Sequence, residues 1–219
     1  MTDRQQVTQR PPRIGLDLTA FPEAPLPAGE QKFRAHEAFR GSAGAWHFSN
    51  GPGGRFNLSG TRGTCYLADS VEAAVYEAVG PDLDEMDCFG RADAAKLMVT
   101  PVIIDDDVTT ADLDTKRARH YGVKNELSTM VPYAIPQKWA AAFDAAGFGG
   151  LRYISRQVSG SDDASWAIFG PAGPDPTRSF DAAGARDGIT AFIEAGVTLL
   201  GTATTADLTV IAPPAWPTP

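Results

Sequence analysis

Histidine and cysteine are scarce in this 219-residue chain, with three of the first and two of the second. His36, His47 and His120 lie 11 and 73 residues apart, spacings that match no zinc-ligand pattern, and no paired cysteine cluster accompanies them. A resident metal is therefore not expected. Cys65 and Cys88 could make one bridge at most, but Cys65, inside the apolar run TCYLA, reads as a small buried hydrophobe. A basic surplus is also missing: 19 Lys and Arg stand against 27 Asp and Glu, a net charge of −8. That balance excludes holding nucleic acid by bulk charge, so any anion site must be local. The longest apolar stretches, Trp139–Phe143 and Ala195–Gly201, fall far short of the roughly 20 residues that a membrane-spanning helix requires. Met1–Arg10 has no apolar signal core, which points to the cytoplasm. GPGGR at Gly51–Arg55 lacks the Lys-Ser or Lys-Thr of a P-loop, no GxGxxG follows a strand, and Ser155 sits in YISRQ rather than in GxSxG.

Glycine and proline are plentiful instead, at 22 and 17 residues, and they divide the chain into short elements joined by turns and ordered loops. Pro11, Pro12, Pro22, Pro25 and Pro27 exclude a helix or central strand over residues 1–30. The expectation is an extended arm whose Ile14, Leu16, Leu18 and Phe21 lie on the domain. Lys32–Glu37 alternates with period two, placing Phe33 and Ala35 on one face and Arg34 and His36 on the other, a half-buried strand presenting Arg34. The connection Gly41–Gly63 is long, but its Trp46, Phe48 and Phe56 argue for order. Thr64–Ala68 predicts a short strand. Asp69 followed by Glu72 resembles a capping box opening a helix over Ser70–Val79, with Gly80 and Pro81 as its stop. A strand is expected over Lys96–Ile104, with Pro101 at an edge or bulge and Asp105–Asp107 as its end. Gln137–Ala146 predicts a helix burying Trp139, Phe143 and Ala146 and closed by Gly147, followed by a hairpin of Leu151–Ile154 with Ser165–Phe169. Beyond Gly170 come a linker-like Pro171–Gly184, a helix over Ala185–Ala195 and a strand over Leu208–Ile211. The organisation expected is an arm (1–30), a domain (31–170) and a C-terminal extension packed on that domain (171–219).

One constellation of polar residues is left for chemistry: Arg34 on a strand, Arg55 in the glycine-rich loop, Tyr66 on a strand, Glu77 on the following helix and Ser155 after a late strand. Paired guanidinium forks suit the oxygens of a pyrophosphate, and a carboxylate suits the oxocarbenium character that develops when a ribosyl bond breaks. Amphipathicity alone does not choose Glu77 over Glu72, and Ser159 and Ser161 are rivals of Ser155.

FRAHE, the loop ending GGRFN, GTCYLADSVEAAVYEAV, WAAAFDAAGFGGLRYISR and WAIF together resemble the RES domain, named for its Arg, Glu and Ser, over about Phe33 to Phe169. The resemblance implies an α+β fold like that of ADP-ribosyltransferases, with a bent, mainly antiparallel sheet core and flanking helices. It implies Arg34, Glu77 and Ser155 as the defining catalytic trio, and Arg55 and Tyr66 as further pocket residues. It also implies NAD+ as substrate without a metal. The activity implied is cleavage of the nicotinamide–ribose bond by a glycohydrolase or phosphorylase, as the toxin of a toxin–antitoxin pair with an Xre-type helix-turn-helix antitoxin. The alternatives are ADP-ribose transfer to a protein target and a non-catalytic nucleotide-sensing domain. No direct nucleic-acid contact and no membrane association are expected. The family often carries an aromatic after the defining Arg, where this chain has Ala35, so a stacking face from that side falls to Phe48, Trp46 or His36.

Overall fold

The strand-forming segments meet edge to edge in one large sheet, described for residues 9–83, 88–155 and 163–201 by a computed structural model. In chain order the strands are β1 (Glu23–Leu26), β2 (Gln31–Glu37), β3 (His47–Phe48), β4 (Arg62–Ala68), β5 (Cys88–Gly90) and β6 (Leu97–Ile103). They continue as β7 (Val108–Asp112), β8 (Gly150–Tyr153), β9 (Ser165–Pro171), β10 (Gly173–Pro174), β11 (Arg186–Asp187) and β12 (Thr198–Leu200). The helices are α1 (Val71–Leu83), α2 (Arg91–Ala94), α3 (Ala134–Ala145) and α4 (Gly188–Glu194). Eight strands form the main sheet in the order β1-β7-β8-β9-β4-β2-β6-β11, antiparallel at every step except β7–β8. The fold is thus mixed α/β, with a mostly antiparallel sheet and flanking helices, as the sequence predicts. Among the described residues, no helix is long and apolar enough to cross a membrane.

Strand alternation sorts the core into layers. Trp166 and Ile168 of β9 enter one cluster with Cys65, Leu67, Trp46 and Phe48, while Ala167 and Phe169 enter another with Leu151, Tyr153 and the α3 residues Trp139 and Phe143. A third cluster joins α1 and α4 through Val71, Val75, Ala191 and Phe192 and meets the sheet at Ala68 and Val99. The aromatics of the long connection are buried, so it is ordered, with Phe48 seated on β10 and Ser49 bridged to Thr64. From Gln9 onward the arm lies on the domain: Trp139 Nε1 donates to the Arg10 carbonyl, and Leu18 and Phe21 are buried. Ile14, expected to join them, is fully exposed. It occupies a turn where its side chain meets solvent.

Three local expectations are corrected. Ser70, not Asp69, caps α1, its Oγ accepting from Ala73 N at 3.0 Å. Asp69 instead accepts from Ala164 N, Trp166 Nε1 and Lys32 Nζ at 2.9, 2.7 and 2.8 Å, so Glu72 is no capping partner of Asp69. The helix also runs through Gly80 and Pro81 to Leu83, whose side chain is buried. On α3 the buried stripe is Pro136, Trp139, Ala140 and Phe143, while Ala146 lies on the solvent side just before the left-handed Gly147 (φ 93°). The Leu151–Ile154 and Ser165–Phe169 hairpin is present as β8–β9, and Pro101 lies on β6, whose outer neighbour β11 spans only two residues. The strand expected at Leu208–Ile211 lies outside the described residues.

The α3 stripe is testable by urea denaturation. Phe143→Ala is expected to lose about 3–5 kcal/mol, and Ala146→Ser to stay within about 0.5 kcal/mol of wild type.

Candidate active site

The cavity originates in a defect of the sheet. β2 and β4 share one residue pair, Phe33 with Ala68, before they diverge, and the far half of β4 takes Ser49 as its neighbour instead. Into this split reaches Arg34, only 8% exposed. Its Nε donates to the Gly44 carbonyl at 2.8 Å, and its Nη1 donates to Cys65 Sγ at 3.0 Å and to the Tyr66 carbonyl at 3.2 Å. Nη2 makes no hydrogen bond to the described residues. Alternation along β2 is as predicted, but the burial is reversed: Lys32, Arg34 and His36 are buried, and Phe33 and Ala35 only half so. The polar side chains find partners on their face, with Lys32 on Glu30 and Asp69 and His36 Nε2 on Thr100 Oγ1 at 2.9 Å. Phe33 and Ala35 instead border the cavity. Burial, foremost, holds the His36 imidazole below its usual range and pushes the Cys65 thiol up, which leaves Cys65 unsuited to act as a nucleophile.

The resulting cavity has a volume of about 260 Å³, and Arg34, Arg55, Tyr66, Glu77 and Ser155 all line it. The residues singled out in the sequence are therefore brought together from two strands, a loop, a helix and a strand end. Helix α1 supplies Glu77. Its Oε1 accepts from Tyr153 Oη at 2.8 Å, and its Oε2 accepts from Ser155 Oγ at 2.5 Å. Glu72, the rival on the same helix, does not line the cavity, while Ser159 and Ser161 lie outside the described residues.

The glycine-rich loop forms the opposite wall. Gln137 Nε2 of α3 donates to the carbonyls of Pro52 and Gly54 at 3.0 and 2.9 Å, and Asn57 Nδ2 donates to that of Gly51 at 2.7 Å. A side chain at Gly54 would place its Cβ 2.2 Å from Asn57 Oδ1, so a larger residue there would push Asn57 off its bonds to Gly51 and Tyr66. Arg55 extends from this anchored loop, with Nη1 on the Met130 carbonyl at 3.0 Å and its guanidinium over the Tyr133 ring at 5.1 Å. Tyr66 Oη accepts from Phe56 N and donates to Asn57 Oδ1. Burial, foremost, raises its phenol far above the usual range. Among the described residues neither guanidinium lies within ion-pair distance of a carboxylate, and no group of three or more His, Cys, Asp or Glu is placed to hold a metal.

The family model of the RES domain matches residues 28–188. This chain belongs to the RES domain family. The match extends beyond the motif-bearing stretch at both ends, taking in all of β2 and the strand β11. The RES fold here superposes on a chain of the crystal structure of the M. tuberculosis MbcT-MbcA toxin-antitoxin complex, covering 79% of this chain and 92% of that one, with a TM-score of 0.59 at 16% identity. That likeness speaks for the fold. Among curated protein sequences none matches this chain.

Sequence reasoning missed Phe33 and Tyr133, which supply aromatic surface to the RES cavity alongside Tyr66. Trp46, Phe48 and His36, the expected stacking residues, are buried away from it. Only the position of Phe33 next to the defining Arg was a signal in the sequence. Tyr133 comes from a distant turn after a cis Val131–Pro132 bond.

Arg34→Lys removes the guanidinium fork and leaves acceptors in the split unmet. A loss of about 1–3 kcal/mol in urea denaturation is expected, whereas Arg55→Lys, at the more open wall, should cost less than about 1 kcal/mol.

Proposed function

We propose that this chain is an NAD+-cleaving enzyme that breaks the nicotinamide–ribose bond, as a glycohydrolase or phosphorylase, and acts as the toxin of a toxin–antitoxin pair. The observation that carries the reading is one cavity walled by two guanidinium groups that have no carboxylate partner among the described residues and, from α1, by a carboxylate held by hydroxyls. Membership of the RES domain family and the fold shared with a chain of a toxin–antitoxin complex support it.

The chemistry follows from the charges. A dinucleotide carries two negative charges on its pyrophosphate, which Arg34 Nη2 and Arg55 would bind with charge-assisted bonds, while Tyr133 and Phe33 offer flat apolar surface to a ring. Cleavage sends the bonding electron pair to the pyridine nitrogen, so nicotinamide leaves neutral and positive charge develops on the ribose. Glu77 stabilises that charge in the transition state more than in the ground state, because the substrate's positive charge lies on the ring until the bond breaks. Water or phosphate then attacks the sugar carbon and gives ADP-ribose or its phosphorylated form.

Incubation of the purified protein with NAD+ and chromatography of the products tests the reading, and a dependence on added phosphate separates the two acceptors. Glu77→Gln is expected to lower turnover about 100- to 1000-fold while the protein stays folded. Expression of the wild type should arrest growth and expression of the variant should not. Transfer of label from NAD+ to a protein in place of free ADP-ribose would replace cleavage by ADP-ribosyl transfer, and an inert wild type would sink the enzymatic reading.

A further inference from the structure

Tyr153 and Ser155 hold the Glu77 carboxylate, yet neither has a part in the bond-breaking step described above. Tyr153 is 1% exposed and does not line the cavity, so it cannot touch a substrate bound there. Its ring packs edge-on against Phe56, with centroids 5.1 Å apart. The strand that carries it is paired on both sides, in parallel with β7 and antiparallel with β9. Ser155 follows two residues later, where strand periodicity returns a side chain to the same face. Each hydroxyl takes a different oxygen of the Glu77 carboxylate.

Resting on the reading of Glu77 as the charge-stabilising group, we propose that Tyr153 and Ser155 form a two-hydroxyl clamp that fixes the orientation of the Glu77 carboxylate. They are positioning residues, acting through Glu77 rather than on the substrate. A carboxylate on a long side chain samples many orientations, and two donors, one on the doubly paired β8 and one two residues past its end, fix its plane before substrate arrives. Tyr153 stays a donor throughout the working range, because burial and the adjacent Glu77 carboxylate raise its phenol well above its ordinary value.

The test compares wild type, Tyr153→Phe and Ser155→Ala by steady-state NAD+ kinetics, together with the order parameter of the Glu77 side chain from NMR relaxation. Tyr153→Phe keeps the ring and its packing. It should lower kcat about tenfold with KM within about twofold, and lower the Glu77 order parameter. Unchanged kcat and order parameter, or a loss confined to KM, would overturn the clamp. If wild type does not turn over NAD+, the reading of the reaction fails, and the order parameter alone decides: a fall in the variants upholds the clamp, and no change refutes it. Should Tyr153→Phe not fold, Ser155→Ala, which leaves the aromatic packing intact, carries the same two measurements with the same outcomes.

Discussion

The site depends on a guanidinium replacing a broken strand ladder. A continuous ladder between β2 and β4 would close the space that the cavity occupies, and unpaired carbonyls at the split would be costly to bury. Arg34 resolves both problems. Two of its nitrogens serve Gly44, Cys65 and Tyr66 across the split, and the third, which makes no hydrogen bond to the described residues, faces the cavity. Its acceptors are neutral atoms, so the positive charge remains available to an anion. The structural and chemical roles of Arg34 are therefore inseparable, and both rest on a fork of donors that the single compact charge of lysine does not offer.

Charge is distributed to match. A chain with net charge −8 would repel a dinucleotide at long range, yet Asp69, next to the cavity-lining Ala68, is engaged by Lys32, Trp166 and Ala164, and Glu77, inside the cavity, is held by hydroxyls. Among the described residues neither Arg34 nor Arg55 lies within ion-pair distance of a carboxylate. At the short distances inside a partly enclosed pocket, this local arrangement outweighs the distant surplus of acid, which water and salt screen.

Much of this was legible in the sequence because it is local. Period two placed Arg34 opposite Phe33 on β2, and the apolar TCYLA run gave β4. The resemblance of the chain's motifs to the RES domain marked Arg34, Arg55, Tyr66, Glu77 and Ser155, which do line one cavity. What failed did so for non-local reasons. Apolar Phe33 and Ala35 read as core, but the split in front of them leaves them half-exposed, while Lys32, Arg34 and His36 are buried because partners wait on their side. Asp69 looked like a cap because its spacing to Glu72 fits, yet long-range donors on β9 and β2 claim it and Ser70 takes its place. Tyr153 and Tyr133 carried no local signal, since their importance lies in contacts with residues 76 and 78 positions away in the chain.

The two ends of the main sheet have a different consequence. At one end β1 has four residues and includes Pro25, which lacks an amide hydrogen; at the other, β11 has two. Such margins offer an incoming chain few free main-chain groups, which protects a sheet of this width from pairing with its own copies and building fibrils. Recognition by another macromolecule must then proceed through side-chain chemistry and surface shape, since annealing a foreign ribbon onto either rim would gain very few bonds.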